Sequence, residues 1–415
     1  MRVLHFSDIH IGVENYSRVD PDTGLSTRLM DFLSVLDDLV DYSIGNEIDL
    51  VLFAGDAYKN RDPSQTHQRE LAKRISRLTE AGIPVFLLVG NHDLPHALGR
   101  ATSIEIYNTL GVPNVYVGDE LKTYIVKTKA GPIQIIALPW PNRSKLLTRE
   151  ETKGMNIENI RDQIQTRLTK AVSILADQLD PNIPAVLTGH VTVSGATTGS
   201  EQSMMLGKDH MLLLSSIHLP QLDYVALGHI HKHQILQKDP LVVYSGSLQR
   251  VDFGEEKDTK GFCVFDLDPS LSAGGRLTDF HFEPVDARTF ITIDVNIGDD
   301  DHDPSDTVVR AIAGHLVKDA IVRVRVSLPS ELASGLDEVL IRESLSEAHY
   351  LASVSTELRT DRRVKVPYSS VESVSPMEAL RMYFEGKDIS GSKLDKLMSH
   401  AKELIDEESS GPNDA

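Results

Sequence analysis

Five short apolar runs in this chain end in residue types that bind metal ions. The first ends in Asp8-Ile-His10 and the second in Gly55-Asp56. The third ends in Gly90-Asn91-His92-Asp93, the fourth in Gly189-His190 and the fifth in Gly228-His229-Ile-His231. Carboxylate, amide oxygen and imidazole without thiolate suit borderline-to-hard divalent cations, and manganese is the natural choice. Asp8, His10, Asp56, Asn91, His190, His229 and His231 are too many donors for one ion and suit two. Asp56 is the natural bridge, because one carboxylate can offer an oxygen to each. Two ions about 3.5–4 Å apart clamp a phosphoryl group and activate a water for in-line attack. Each motif alone is weak, since Gly-Asp and Gly-His usually mark turns. Five in order, each after a strand-like run, form the signal.

The elements that must position these donors alternate. Val3–Ser7, Leu50–Ala54, Pro84–Val89, Ile133–Ala137, Ala185–Leu187 and Tyr224–Leu227 read as short buried strands. Thr27–Ile44, Ser64–Ala81 and Asn159–Gln178 carry apolar residues at helical spacing. Gly82 is a stop signal for the second helix. This rhythm predicts an α/β layered domain whose site lies beyond the carboxyl ends of its strands. Beyond Pro284, Phe290–Val295, Asp306–Leu316, Ala320–Val326, Leu336–Glu347 and His349–Glu357 read as a β-α-β-α-β unit. Pro376–Glu385 and Ser392–Glu407 read as two helices with apolar residues on one face. The run Asp299–Asp303 lacks the spacing of a calcium loop and reads as a solvated helix start.

The 415 residues are enough for two or more domains. The chain carries 61 acidic and 42 basic residues, a formal charge of −19, which excludes a broad nucleic-acid coat. A metal-centred phosphate site remains compatible with that charge, because phosphate meets the cations first. The single cysteine, Cys263, excludes an internal disulfide and reads as a buried structural thiol. No apolar run reaches the ~18 residues needed to cross a membrane. The N-terminus reaches a charge at Arg2 and Asp8 before any secretory apolar region. A cytoplasmic protein with no membrane partner is expected. His5 reads as a packed core residue and His233 as a turn residue. Trp140, between Pro139 and Pro141, reads as packing at the rim of the site, with base stacking the alternative.

The order Asp-x-His, Gly-Asp, Gly-Asn-His-Asp, Gly-His, Gly-His-x-His resembles the calcineurin-like metallophosphoesterases. Within that superfamily, His5-Phe-Ser-Asp-Ile-His-Ile-Gly12, Tyr244-Ser-Gly-Ser-Leu-Gln-Arg250, Phe253-Gly-Glu255 and Lys260-Gly-Phe262 are similar to the SbcD-type nuclease subunits. The resemblance implies a two-sheet α/β sandwich flanked by helices over residues 1–285. It further implies, by position, a small α+β capping domain over 286–370 and a helical partner-binding segment over 371–408. The tail Ser409-Ser-Gly-Pro-Asn-Asp-Ala415 reads by itself as disordered. The resemblance assigns one metal to Asp8, His10, Asp56 and His231, and the second to Asp56, Asn91, His190 and His229. His92 is then a catalytic imidazole that stabilises phosphate charge or protonates the leaving oxygen, and Asp93 a carboxylate that orients it. The implied activity is manganese-dependent exo- and endonuclease cleavage of DNA ends and hairpins, with an SbcC-type coiled-coil ATPase as partner. The implied assembly is a homodimer packed through the Ser64–Ala81 and Ala101–Leu110 segments. Lys59 departs from the pattern, because many relatives carry a histidine there that is linked to exonuclease action. A non-catalytic scaffold for the ATPase and a phosphodiesterase acting on small substrates are the competing readings. The complete donor set, with His92 present, argues against the scaffold.

Overall fold

The computed structural model describes residues 1–95, 99–142, 146–147, 151, 154–199, 211–359, 376–385, 389 and 391–409. In chain order the strands are β1 (Arg2–Phe6), β2 (Leu50–Phe53), β3 (Val85–Leu88), β4 (Val115–Gly118), β5 (Lys122–Thr128) and β6 (Gly131–Leu138). They continue as β7 (Ala185–His190), β8 (Thr192–Val193), β9 (Met211–Leu212), β10 (Tyr224–Gly228), β11 (Gln234–Lys238) and β12 (Leu241–Tyr244). The last five are β13 (Gly261–Leu267), β14 (Leu277–Pro284), β15 (Phe290–Asn296), β16 (Ile321–Pro329) and β17 (Tyr350–Arg359).

Two six-stranded sheets carry the larger unit, in the orders β14-β13-β1-β2-β3-β4 and β11-β12-β10-β7-β6-β5. β1, β2, β3 and β4 are mutually parallel, as are β6, β7, β10 and β12. The outer strands β13, β14, β5 and β11 are antiparallel to their neighbours. Side chains alternate across each strand. Val3, Leu50, Leu52, Phe86 and Phe265 therefore meet Ile133, Ile135, Val186, Tyr224 and Val243 in a core between the sheets. On the opposite face, Leu4, Phe6, Val51 and Phe53 pack against helix α1 (Thr27–Gly45), helix α2 (Gln65–Glu80) and helix α3 (Glu105–Thr109). The far face of the second sheet buries Ile160, Ile164, Leu168 and Val172 of the helix Ile157–Asp177. The layers are thus helix, sheet, sheet, helix.

Ser26 and Ser64 cap α1 and α2, each side chain accepting a backbone N–H three residues on. Gly82, at φ 75°, ends α2 as the sequence predicts. β15, β16 and β17 form a three-stranded sheet with β16 in the middle. The helix expected over Leu336–Glu347 is shorter, Glu338–Ser344, and follows a 3₁₀ turn at Ser330–Gly335. Asp303 accepts the Asp306 N–H, which makes the acidic run a helix start. The helices Pro376–Glu385 and Ser392–Ser409 match the expected pair. Residues 360–375 of the expected capping and helical segments, and 410–415 of the expected tail, lie outside the described residues.

The described residues divide into two compact units. One comprises Met1–Ile293, Val309–Val324 and Val339–Val354; the other comprises Asp294–Val308, Arg325–Glu338 and Ser355–Ala415. No helix among the described residues is long and apolar enough to cross a membrane.

Candidate metal centre

β1, β2, β3, β7 and β10 run parallel within their sheets, and each expected donor lies at or just beyond a carboxyl end. Four of these residues take left-handed backbone: Asp8 at φ 54°, His10 at 51°, Asp56 at 64° and His229 at 96°. Such conformations are costly for residues with a Cβ and persist where the surroundings over-determine them. Here they turn the chain back at the strand ends, so that Asp8 N–H donates to the Gly55 carbonyl (2.9 Å) and His10 N–H to that of Asp56 (3.2 Å). Gly55 has φ 101°, and a Cβ there would lie 2.4 Å from His190 Nδ1. A Cβ at Gly90 would lie 2.2 Å from Asp56 Oδ1. Both glycines therefore make room for donors to crowd together.

The donors gather in three overlapping groups: Asp8, His10 and His231; His10, Asp56 and His92; and Asp56, His190 and His229. Within each group the donor atoms lie within 4.8 Å of one another. Asn91 Oδ1 completes the third group, 3.0 Å from His190 Nε2 and 3.1 Å from His229 Nδ1. All seven donors named from the sequence thus converge, and Asp56 stands between the halves. Its Oδ2 is 3.3 Å from His190 Nε2 and 3.8 Å from His10 Nε2. His10 Nε2 faces His231 Nε2 at 3.0 Å. Two ring nitrogens in that arrangement share either one proton or one cation. Buried carboxylates, imidazoles and an amide oxygen around one point fit divalent cations by donor chemistry.

Partners behind the donors fix which ring atom faces inward. His190 Nδ1–H donates to the Ala54 carbonyl (2.7 Å), which leaves Nε2 toward Asp56 and Asn91. His231 Nδ1–H donates to Glu255 Oε1 (2.7 Å), which leaves Nε2 toward His10. This is the outer arrangement that sets tautomer and orientation in metal-binding histidines. Asp8 accepts the His229 N–H (3.0 Å), tying β1 to β10. Trp140 packs its ring 4.7 Å from that of His229 and 6.1 Å from that of His190, at the rim as expected. His5 is buried between Tyr224 and the Leu227 carbonyl, and Cys263 is buried on β13, both as the sequence predicts.

His92 lies beside the donors, its ring 5.0 Å from that of His10. Its backbone N–H donates to Asp56 Oδ1 (2.8 Å), and its Nδ1–H meets the Lys59 carbonyl (2.7 Å). The sequence reading set Asp93 behind His92. The structure turns that carboxylate the other way, where it accepts the N–H groups of Gly90 (3.0 Å), Asp56 (3.0 Å) and Ala57 (3.1 Å) and the Ser103 hydroxyl (3.0 Å). Asp93 organises the loops that carry Asp56 and Asn91. Burial, reinforced by the nearby Asp56 charge, pushes its pKa up to about 6. Burial also disfavours charge on Asp56 and His190. Their mutual attraction overcomes it, holding Asp56 well below the carboxylate range and raising His190 to about 9.

Glu255, Lys260 and Ser247 were not read from the sequence as parts of the site. Lys260 Nζ donates to the His231 carbonyl (3.1 Å) and Ser247 Oγ (2.9 Å) and pairs with Glu255 Oε2 (2.7 Å), all buried. Glu255 and Lys260 stand among the other charges of the run Asp252–Lys260, so nothing but the flanking Phe253-Gly and Gly-Phe262 set them apart in the sequence.

Two curated proteins are similar to this chain, both named as the SbcD component of the SbcCD nuclease. The one from Bacillus subtilis is 26% identical over 277 residues, covering 66% of this chain and 68% of its own length. The one from Staphylococcus epidermidis is 27% identical over 271 residues, covering 65% of this chain and 66% of its own length. The calcineurin-like phosphoesterase family matches residues 1–233, a stretch that holds every donor of the centre, and the chain belongs to that family.

Proposed function

We propose that the chain is a DNA nuclease of the SbcD type, a two-metal phosphodiesterase acting on duplex ends and hairpins. The observation that carries this reading is the convergence of seven donors, six of them buried and Asn91 half-buried, at five strand ends, with His92 beside them. Asp8, His10, Asp56 and His231 would hold one ion, and Asp56, Asn91, His190 and His229 the other. Divalent cations held there, manganese foremost, would supply Lewis-acid polarisation of a phosphodiester and activation of the attacking water. His190 would serve as a ligand in its neutral form through Nε2, because its Nδ1–H is held by the Ala54 carbonyl. Neutral His92 carries its proton on Nδ1, because only an N–H can meet the Lys59 carbonyl. Its Nε2 is then the atom that moves a proton at the leaving oxygen or, once protonated, steadies phosphate charge.

The larger reading includes an SbcC-type ATPase gripped by the helical segment 371–408 and a capping domain over 286–370. It also includes a homodimer. The groove between α2 and α3 supports that part, being lined by Ala72, Ile75 and Tyr107 with Ile106 and Leu110 exposed at its edge. A formal charge of −19 leaves few groups to neutralise phosphates. The isolated chain therefore binds duplex DNA weakly with a shallow salt slope, and a steep slope would contradict this.

Manganese-dependent cleavage of end-labelled duplex and hairpin DNA, run beside His92→Ala, tests the proposal. Wild type is expected to cut, and His92→Ala to bind manganese without cutting. A wild-type chain that binds manganese and leaves DNA intact while hydrolysing bis(p-nitrophenyl) phosphate would favour a small-substrate phosphodiesterase. Binding without hydrolysis of either would favour the scaffold.

A further inference from the structure

His231 is held from behind by one short turn, and that turn is itself held by the strands that follow the phosphoesterase fold. The turn is a 3₁₀ segment, Phe253–Glu255, capped by Asp252 accepting the Gly254 N–H (2.7 Å). Three side chains at this turn, those of Phe253, Glu255 and Glu256, face three environments. Phe253 packs edge-on to Phe290 (5.0 Å, 83°) and Tyr16 (5.5 Å, 74°), with the Arg323 guanidinium 4.3 Å from its ring centroid. Glu256 accepts the Thr292 N–H (2.9 Å) and hydroxyl (2.5 Å), and Arg323 Nε–H donates to the same hydroxyl (2.8 Å). Between them, Glu255 points inward and accepts from His231 Nδ1 (2.7 Å) and from the Val251 N–H (3.1 Å).

A carboxylate accepts only, so the His231 proton sits on Nδ1 and the Nε2 lone pair faces His10 and Asp8. Lys260 spends its three ammonium donors on Glu255, Ser247 and the His231 carbonyl, which fixes both the carboxylate and the histidine backbone. Neither residue reaches the reacting position, so both are positioning residues. Phe290 and Thr292 lie on β15, and Arg323 lies on β16. The same two strands that anchor the turn therefore bound the freedom of the histidine.

We infer that Glu255 is the positioning residue for His231, and that Thr292 and Arg323 set the metal affinity of the centre by anchoring the turn that carries it. This rests on the metal-centre reading above. Histidine-backing carboxylates of this kind change metal affinity by about 10–100-fold when removed.

The test uses the full chain, stripped of metal and titrated with manganese(II) by calorimetry, with urea denaturation of the stripped protein as a second readout. Glu255→Leu with Lys260→Met removes both buried charges together, so that neither is left uncompensated. One of two manganese sites is expected to weaken about 10–100-fold while the other stays as in wild type. Glu255→Gln, which keeps an acceptor for Nδ1, is expected to recover most of that loss. Thr292→Val, remote from every donor, is expected to weaken the same site about threefold. Long-range ¹H–¹⁵N spectra of histidine-labelled stripped protein should show His231 shifting from the Nδ1–H form to a tautomer mixture in the Leu/Met variant. Unchanged affinity in that variant overturns the positioning role, as does equal weakening of both sites with lowered stability. Unchanged affinity in Thr292→Val overturns the link to the strands. Failure of wild type itself to bind manganese would instead overturn the metal-centre reading.

Discussion

Two buried carboxylates stand behind the metal centre, Asp93 in the loop after β3 and Glu255 in the turn before β13, and they do opposite work. Asp93 accepts four neutral donors, three of them backbone N–H groups. Glu255 accepts from an imidazole and an ammonium. Neutral donors bring dipoles without charge, so burial and the neighbouring Asp56 prevail and the Asp93 pKa rises. For Glu255 burial pulls the same way, but His231 and Lys260 overcome it and hold the carboxyl far below its usual range. One carboxylate shapes backbone and the other aims a side chain. The number of positive partners decides which stays firmly ionised in a water-poor site.

The largest expected effect comes from breaking the charged arrangement. Glu255→Ala strands the Lys260 ammonium, which is fully buried, beside Ser247 and a carbonyl. A destabilisation of about 3–5 kcal/mol is expected for removing one partner of a buried pair. Lys260→Met added to Glu255→Ala should return part of it, because no charge is then left uncompensated. Urea denaturation of both variants measures this. A double variant no more stable than Glu255→Ala would show that Lys260 keeps its charge satisfied without the carboxylate.

A third buried group extends the comparison to a site with no charge at all. His5 lies on β1 with Nδ1 3.1 Å from the Tyr224 hydroxyl and Nε2 3.2 Å from the Leu227 carbonyl. Burial lowers its pKa from 6.5 to about 3. The folded state thus resists a proton that the unfolded chain accepts. The stability that neutral His5 preserves is complete above pH 6.5 and is lost as pH falls from there toward 3. At pH 5 the loss is about 2 kcal/mol. His5→Gln, which cannot titrate, should show a correspondingly smaller drop in stability between pH 7 and pH 5. Equal drops in both proteins would mean that His5 is protonated without cost.

The metal donors were legible because each lies at the end of a strand or within four residues past it, so local sequence carries strand and ligand together, with a glycine just before the ligand at four of the five strand ends. Asp8, Asp56, Asn91, His190 and His229 needed no knowledge of which strands pair. The inter-sheet core was legible for the same reason, since Leu52, Phe86 and Val186 sit in continuous apolar runs. The outer strands β5 and β11 were not, because solvent on one side leaves Lys122–Thr128 and Gln234–Lys238 largely polar. Glu255 meets His231 across 24 residues, a distance at which no periodicity speaks. Asp93 misled through adjacency: its neighbour in sequence is His92, yet its carboxylate reaches Ala57, 36 residues away.

That reach supplies the smallest of the expected effects and the sharpest test of what Asp93 does. Asp93→Asn keeps the shape and one oxygen, enough to accept from two of the three backbone donors. The amide –NH₂ must then face the remaining N–H, leaving one buried donor unsatisfied at a cost of about 1–3 kcal/mol. Against this, the substitution removes the repulsion between two buried carboxylates, Asp93 and Asp56. The two contributions oppose, and a net destabilisation of about 1 kcal/mol is expected by urea denaturation. Cleavage activity should fall with it only as far as the Asp56 and Asn91 loops loosen, so added manganese should restore it. Asp93→Asn that stays stable and fully metal-bound, yet loses cleavage beyond rescue by manganese, would mean the carboxylate acts on His92 after all, as its place in the sequence first suggested.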